Sequence, residues 1–275
     1  MQGPPLHQGA PPPTAWVWLV SGIAEGPVLA RALLQRGWRV RVSVVGQAAT
    51  RAYAPHPHLE LLVGDLADDT AVEQQLTAAP PRWLVDATHP FAAAITARLE
   101  RVCRRRGQPL LRLDRQLEPA STRQVLPLRQ LEALADLDLS GERLLLAIGS
   151  RHLPVALAHS NAAAHFARVL DQPGSLQLAL AAGLTDAQLA CLRPDPLGQG
   201  TLEQALCRRW QITSVLCRRS GGRSERIWRQ VCDALGLRLL LLESPAGAGT
   251  PGLPVEALLE KLGYPDSPPA AAPSP

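Results

Sequence analysis

The sequence is poor in lysine, in aromatic residues and in long apolar runs. Lys261 is the only lysine, so 27 of the 28 basic residues are arginines, and the formal net charge is +4. Aromatic residues make up 4% of the chain and do not interleave with the basic ones, which argues against a nucleic-acid-binding protein. Because no apolar run reaches about 18 residues, we predict no membrane span.

The cysteines are few and scattered, and no two of them form a CxxC pair. This spacing excludes the common cysteine-based metal and redox motifs, and we predict no metal site. We therefore expect reduced thiols in a cytoplasmic protein. The five cysteines are Cys103, Cys191, Cys207, Cys217 and Cys232.

Arginine is what the chain has in quantity. Its guanidinium group is permanently charged and binds carboxylates and phosphates with two parallel hydrogen bonds. The basic composition therefore favours an anionic small molecule as the ligand.

Apolar strand-like segments alternate with helical patterns along both halves of the chain. Strands are expected at 16–20, 38–45, 59–63, 83–87 and 110–113, and then at 144–148, 164–170, 188–192, 212–217 and 237–242. Helices are expected after the first strand and at 69–79, 91–106, 175–182, 201–209, 225–235 and 255–262. The alternation predicts an α/β protein with two Rossmann-like parallel-sheet domains and a ligand cleft between them.

Interruptions of this rhythm suggest the domain boundaries. Proline-rich and glycine-rich ends predict disordered tails at 1–13 and 264–275. We expect a dinucleotide-binding domain at 14–115, a linker at 116–129 and a substrate domain at 130–263.

The turn after the first strand is a candidate nucleotide site. It reads Ser21, Gly22, Ile23, Ala24, Glu25, Gly26. Small residues there let backbone amides and a helix N-terminus approach a pyrophosphate. Only two glycines of the G-x-G-x-x-G fingerprint are present, so a plain turn is the alternative.

Two further strand ends could contact a dinucleotide. Ser43 stands where an acidic residue would favour NAD, and with Arg51 further on this favours NADPH, with NADH as the alternative donor. Asp65 could accept a hydrogen bond from the adenine amino group. The alternatives are a solvated loop at Ser43 and a helix-capping or turn role for Asp65.

The segment 86–92 is the sharpest motif, with the sequence Asp-Ala-Thr-His-Pro-Phe-Ala. It ends the fourth strand, where open α/β sheets bind ligands, and Pro90 suits a first helical turn. Thr88 and His89 could present donors to a ligand. A histidine that only caps or packs is the alternative.

This segment resembles the signature of the precorrin-6A and cobalt-precorrin-6A reductase family. The resemblance spans about 16–262 and includes weaker matches at 21–26, 43–46, 109–115, 147–151, 168–170 and 218–222. The turn at 21–26 lacks one hydroxyl of the family pattern. Arg218 stands where the family has lysine, so an anion-binding role is retained but an acid/base role is not.

The resemblance implies a hydride transfer from NADPH or NADH to a carbon–carbon double bond of the precorrin-6A macrocycle, which gives precorrin-6B or its cobalt form. It implies catalytic roles for Thr88 and His89, with the proton coming from His89, a carboxyl group or water. Cofactor contacts are expected at 21–26, Ser43, Asp65 and Thr88. The carboxylate-rich tetrapyrrole would be held by Arg112, Arg115, Arg151, Arg168, Arg218, Ser220 and Gly221, although a surface location is the alternative for each arginine.

Two other functions are alternatives to this one. A short-chain reductase or epimerase needs a tyrosine and a lysine four residues apart, with the tyrosine first, whereas Lys261 precedes Tyr264, so that hypothesis fails. A non-catalytic NAD(P)-binding sensor is the alternative from another class, although a sensor needs no polyanion site. The sequence leaves the oligomeric state and the metal content of the substrate open.

Overall fold

The computed structural model describes residues 15–22, 24–115, 125–193, 199–245 and 250–265. The strands in these ranges are β1 (Trp16–Ser21), β2 (Arg39–Val44), β3 (Leu59–Val63), β4 (Trp83–Ala87), β5 (Leu110–Leu113), β6 (Val125–Leu128), β7 (Arg143–Ala147), β8 (Ala164–Val169), β9 (Leu189–Cys191), β10 (Ser214–Arg218), β11 (Arg238–Leu242) and β12 (Gly252–Leu253). The α-helices are α1 (Glu25–Gln35), α2 (Gln47–Thr50), α3 (Asp69–Ala78), α4 (Ala93–Arg106), α5 (Leu153–His159), α6 (Pro173–Ala181), α7 (Thr201–Arg209), α8 (Arg223–Leu235) and α9 (Val255–Leu262). Short 3-10 helices span Leu131–Asp136, Ser150–His152 and Asp186–Gln188.

The described residues divide into two compact units, one formed by 15–115 with 250–265 and the other by 125–245. Each unit contains one six-stranded sheet in which every neighbouring pair is parallel. The predicted α/β class with two parallel-sheet domains is therefore confirmed. The ligand cleft expected between the domains stays a prediction.

The first sheet has the strand order β12-β5-β4-β1-β2-β3. Alternate residues of β1 face opposite sides, so Val17 and Leu19 pack in one core cluster with Leu29 of α1 while Trp18 packs in the other with Leu99 of α4. Because β1 and β4 are neighbours, the connections leave this pair in opposite directions. The carboxyl ends of these two strands thus form the switch point of the sheet.

The second sheet repeats this topology in the order β6-β11-β10-β7-β8-β9. Its switch point lies between β7 and β10, which pair through Leu145 and Val215. Both residues are fully buried. Val215 packs in one core cluster with Trp228 of α8.

Two predicted boundaries are wrong. Helix α9 was expected in the second domain, but β12 pairs with β5, and Leu258 of α9 is buried in the core of the first unit beside α1. The expected linker 116–129 contains β6, which pairs with β11 in the second sheet, while 116–124 lies outside the described residues. Both strands join a sheet through contacts with residues far away in sequence, which local patterns do not reveal.

The ends of the chain differ in one respect from expectation. The tail predicted at 264–275 begins with ordered contacts, because Arg82 donates a hydrogen bond to the carbonyl oxygen of Pro265 (2.5 Å) and Arg36 lies over the Tyr264 ring. The segment 1–13 and residues beyond 265 lie outside the described residues. Among the helices that are described, none is long and apolar enough to cross a membrane.

Candidate functional site

The turn after β1 meets the segment after β4 at the switch point of the first sheet. The amide of Gly22 donates to the carbonyl oxygen of Ala87 at 3.1 Å. A Cβ atom placed on Gly22 would lie 3.6 Å from the main-chain nitrogen of His89 and 3.7 Å from the Thr88 Cα atom. The β1–α1 turn and the segment 86–92 are therefore adjacent, and Gly22 itself is exposed.

Asp86 connects the residues of this crevice through hydrogen bonds. Its buried carboxylate accepts hydrogen bonds from the Thr88 amide (2.9 Å), the Thr88 hydroxyl (2.7 Å) and the Thr96 hydroxyl (2.8 Å). These contacts tie the end of β4 to α4. Because the Thr88 hydroxyl donates its proton to Asp86, its oxygen can still act as an acceptor.

His89 combines a local role with a position at the crevice. Its Nδ1 atom accepts a hydrogen bond from the Phe91 amide at 3.2 Å, so the neutral ring carries its proton on Nε2. The ring also lies 5.8 Å from the Phe91 ring. Helix α4 begins at Ala93 rather than at Phe91, because 89–92 form a turn in which the His89 carbonyl oxygen accepts from the Ala92 amide.

The residues around the β1–α1 turn pack tightly. The buried Ser21 hydroxyl accepts a hydrogen bond from the Tyr53 hydroxyl at 2.8 Å. A Cβ atom on Gly26 would lie 1.9 Å from Ser21 Oγ, so glycine is required there. Ala24 is exposed, and Ile23 lies outside the described residues. Tyr53 follows α2 in a loop, and no sequence signal pointed to it.

Glu25 and Arg115 form an ion pair with each other. The sequence placed Glu25 at the cofactor and Arg115 at the substrate. The Arg115 side chain is only 10% exposed. Its guanidinium therefore contacts the β1–α1 turn through Glu25, and a substrate contact for Arg115 stays a prediction.

The other two expected cofactor contacts, Ser43 and Asp65, differ in their exposure. Ser43 is buried and its hydroxyl accepts a hydrogen bond from Trp18 Nε1 at 2.9 Å, so a contact between this hydroxyl and a ribose is not supported. Asp65 is exposed beyond the end of β3. It does not cap α3, because Asp68 does so by accepting from the Ala71 amide.

Basic side chains gather at the switch point of the second sheet. Gly149 has a φ angle of +85°, and a Cβ atom there would lie 2.2 Å from Arg218 Nη2. The Arg218 guanidinium therefore lies against the glycine, and burial lowers the pKa of Arg218. The pKa of His152 is lowered by burial and by the charges of Arg218 and Arg151. Arg151 is exposed, whereas Arg112 lies in β5 of the first unit and is half-buried.

Arg168 of β8 is a buried cation near the buried Glu203. The residue is 9% exposed, and its Nε and Nη2 atoms have no hydrogen-bond partner among the residues that the structure describes. Burial lowers the pKa of Arg168, and the attraction of the buried Glu203 only partly opposes this. Within the same described part, Glu203 Oε2 also lacks a partner. The Nε–Nη2 edge of a guanidinium is one of the edges that can bind a carboxylate with two parallel hydrogen bonds.

The expected anion site at Ser220 and Gly221 is already filled by the chain itself. Both amides donate to Glu225 Oε2 at 2.7 Å, and Glu225 also accepts from Arg229 at 2.8 Å. Glu225 is buried in the first turn of α8. The prediction that these two amides bind a substrate carboxylate is therefore not supported.

A cavity of about 760 Å³ opens at the amino edge of the second sheet and is lined by Glu142, Thr213 and Arg238 among others. The Glu142 carboxylate accepts hydrogen bonds from Thr213 (3.0 Å) and Arg238 (3.2 Å). Parallel sheets bind their ligands at the opposite, carboxyl edge. The switch points are therefore better candidates than this cavity.

The fold and the first switch point define the class of protein. A doubly wound parallel sheet with a glycine at the end of its first strand is typical of dinucleotide-binding enzymes. Residues 16–262 match the family model described as precorrin-6x reductase CbiJ/CobK. The chain therefore belongs to this family of reductases.

Individual relatives agree with the family. The chain is 32% identical to the cobalt-precorrin-6A reductase of Synechocystis over 84% of this chain and 89% of that protein. It is 28% identical to the precorrin-6A reductase of Rhodobacter capsulatus over 83% and 87%. The solved structure of a CobK precorrin-6A reductase matches 92% of this chain and 100% of its own, with a TM-score of 0.74 and 23% identity, which supports the fold.

Proposed function

We propose that this chain reduces precorrin-6A or cobalt-precorrin-6A in corrin biosynthesis, with NADPH as the hydride donor and NADH as the alternative donor. The observation that carries this proposal is the contact between Gly22 and the Thr88–His89 main chain at the switch point of the first sheet. It brings a phosphate-binding type of turn next to the segment that resembles the family signature.

The residues of this crevice fit a dinucleotide. Gly22 is exposed and keeps the backbone thin, while Gly26 lets the start of α1 approach the end of β1. The amides near the N-terminus of α1 would hold the pyrophosphate. When bound there, the nicotinamide supplies the hydride.

The chain's own residues position the reaction. Asp86 fixes Thr88 through two hydrogen bonds, which orients the backbone of the signature segment. His89 lies next in sequence, with the proton of its neutral ring on Nε2. We infer that Thr88 and His89 line the reacting side of the cofactor site and help to exclude water.

The second unit would bind the carboxylates of the macrocycle. Arg168 supports this role most directly, because its buried Nε–Nη2 edge lacks a partner among the described residues. Arg151 and Arg218 add positive charge near the end of β7. A sensor that binds NAD(P) without turnover would need no such polyanion site, so these arginines favour the enzyme.

The test is to supply the purified protein with precorrin-6A or cobalt-precorrin-6A and to follow the oxidation of NADPH and of NADH. We expect oxidation that depends on the tetrapyrrole and yields the corresponding precorrin-6B. A protein that binds the nucleotide but oxidises it with neither tetrapyrrole would contradict the proposal and favour the sensor.

A further inference from the structure

We propose that Tyr53 is a positioning residue of the nucleotide site, whose hydroxyl acts through Ser21 to hold the β1–α1 turn in the shape that receives a pyrophosphate. The inference rests on the proposed function, because it assigns the nucleotide to this turn. It adds a residue that lies outside the turn and that no motif marks.

The contact is direct and buried. The Tyr53 hydroxyl donates to Ser21 Oγ at 2.8 Å, and both residues are more than nine-tenths buried. Burial raises the pKa of Tyr53, and the bond to Ser21 only partly offsets this. The phenol therefore remains protonated, and remains a donor, at neutral and mildly alkaline pH.

Ser21 lies at the start of the β1–α1 turn, so its contact with Tyr53 affects the position of the turn. Ser21 is the last residue of β1, and the following residue, Gly22, is held by its main-chain hydrogen bond to Ala87 of β4. The start of the turn is thus held by one side-chain and one main-chain hydrogen bond. Tyr53 supplies the side-chain one.

Gly26 shows how closely the three groups fit. A Cβ atom on Gly26 would lie 1.9 Å from Ser21 Oγ and 2.7 Å from the Tyr53 hydroxyl oxygen. The first turn of α1 can therefore approach the pair only with glycine at this position. The two hydroxyl groups fill the space between the helix and the end of β1, and they set the distance between them.

The experiment measures the dissociation constants of NADPH and of ADP-ribose, which also contains the pyrophosphate, by calorimetry. Tyr53→Phe removes only the hydroxyl, and Ser21→Ala removes the acceptor. Each should weaken both ligands by about three- to tenfold, the range expected for loss of one neutral hydrogen bond that orders a site. The double variant should be no weaker than the weaker single variant, because the two side chains act as one unit.

A kinetic measurement separates positioning from a general structural role. Tyr53→Phe should raise the KM for NADPH while kcat at saturating NADPH and the KM for the tetrapyrrole stay within about twofold. Tyr264→Phe is the matched control, since Tyr264 is the only other tyrosine and lies far along the chain at 59% exposure. That control should change none of these quantities.

The outcomes distinguish the inference from the proposed function. If the wild-type protein binds neither nucleotide, the proposed cofactor site is wrong and the inference with it. If the wild type binds both and Tyr53→Phe and Ser21→Ala bind equally well, only the inference is overturned. Additive losses in the double variant would also overturn it.

Gly26→Ala provides a second route. The added methyl group must displace Ser21 or α1, so nucleotide binding should weaken by more than tenfold. Removing both hydroxyl groups with Ser21→Ala and Tyr53→Phe takes away the two closest oxygen contacts and should restore part of the lost affinity. No restoration in a folded triple variant would contradict the proposed packing.

Discussion

Arg168 offers a test in which stability and substrate binding should change in opposite directions. Arg168→Met keeps most of the side-chain volume and removes the charge, and it is combined with Glu203→Gln so that no buried carboxylate is left without its nearby cation. In the native chain the guanidinium is buried, and burial outweighs the attraction of Glu203 in its effect on the pKa of Arg168. The charged group is therefore unfavourable in the folded protein without a ligand, and a group kept at such a cost is typical of a binding site.

The expected change in stability follows from Nε and Nη2 of Arg168, which lack a hydrogen-bond partner among the described residues. A buried donor without a partner costs about 1–3 kcal/mol, and replacing both members of a buried charge pair by neutral groups of similar volume is often neutral or stabilising, so we expect the double variant to stabilise the ligand-free protein by about 1–2 kcal/mol. For a unit of this size that raises its melting temperature by roughly 3–8 °C. Loss of a charge-assisted hydrogen bond to a substrate carboxylate should raise the KM for the tetrapyrrole roughly 10- to 100-fold.

Thermal unfolding and steady-state kinetics check both halves of this prediction. Arg151→Met is the matched control, because Arg151 is exposed and its loss should leave the melting temperature unchanged. If the double variant lowers the melting temperature and leaves the KM for the tetrapyrrole unchanged, Arg168 is a structural residue and the reasoning is refuted.

Four further predictions concern other parts of the two switch points. Gly22→Val should keep the fold, since a Cβ atom meets nothing closer than 3.6 Å, but weaken NADPH binding at least about tenfold; unchanged affinity would remove this turn from the site. His89→Ala should lower kcat with little change in the Kd for NADPH, whereas equal loss of both would indicate a structural role. Asp86→Asn should lower the free energy of unfolding by about 1–3 kcal/mol, because a carboxylate that accepts three hydrogen bonds is replaced, and urea unfolding measures it. Burial holds the folded-state pKa of His152 below its ordinary value, so the unfolded chain binds more protons than the folded chain as the pH falls, and the free energy of unfolding decreases. His152→Asn should flatten this pH dependence, and an unchanged pH profile would contradict the role given to His152.

Much of the fold could be predicted from the sequence because buried parallel strands are short, apolar and locally recognisable. The strand at 83–87 and the helix at 201–209 were predicted with the observed bounds. By contrast, β12 has only two residues, and β6 contains Pro127. Each is an edge strand defined by its partner, so its own sequence carries little signal.

The candidate site was predictable to the extent that it lies in continuous motifs. The turn at 21–26 and the segment at 86–92 both end strands, and the parallel topology brings their ends together. The contacts that alter individual roles join distant residues. Tyr53 with Ser21 and Arg115 with Glu25 are examples, and no spacing rule connects their positions.

The two units share a topology, and the glycines at corresponding positions, Gly22 and Gly149, have different surroundings. Gly22 follows β1 and Gly149 follows β7, and each of these strands lies at the switch point of its sheet. A Cβ atom on Gly22 would meet only main-chain atoms at ordinary contact distance, so this crevice is open to a ligand. The same position on Gly149 is filled by the Arg218 guanidinium. A dinucleotide could not approach Gly149 without displacing that group, whereas an anionic substrate would be attracted to it. These two glycine environments are the reason for proposing nucleotide binding in the first unit and carboxylate binding in the second.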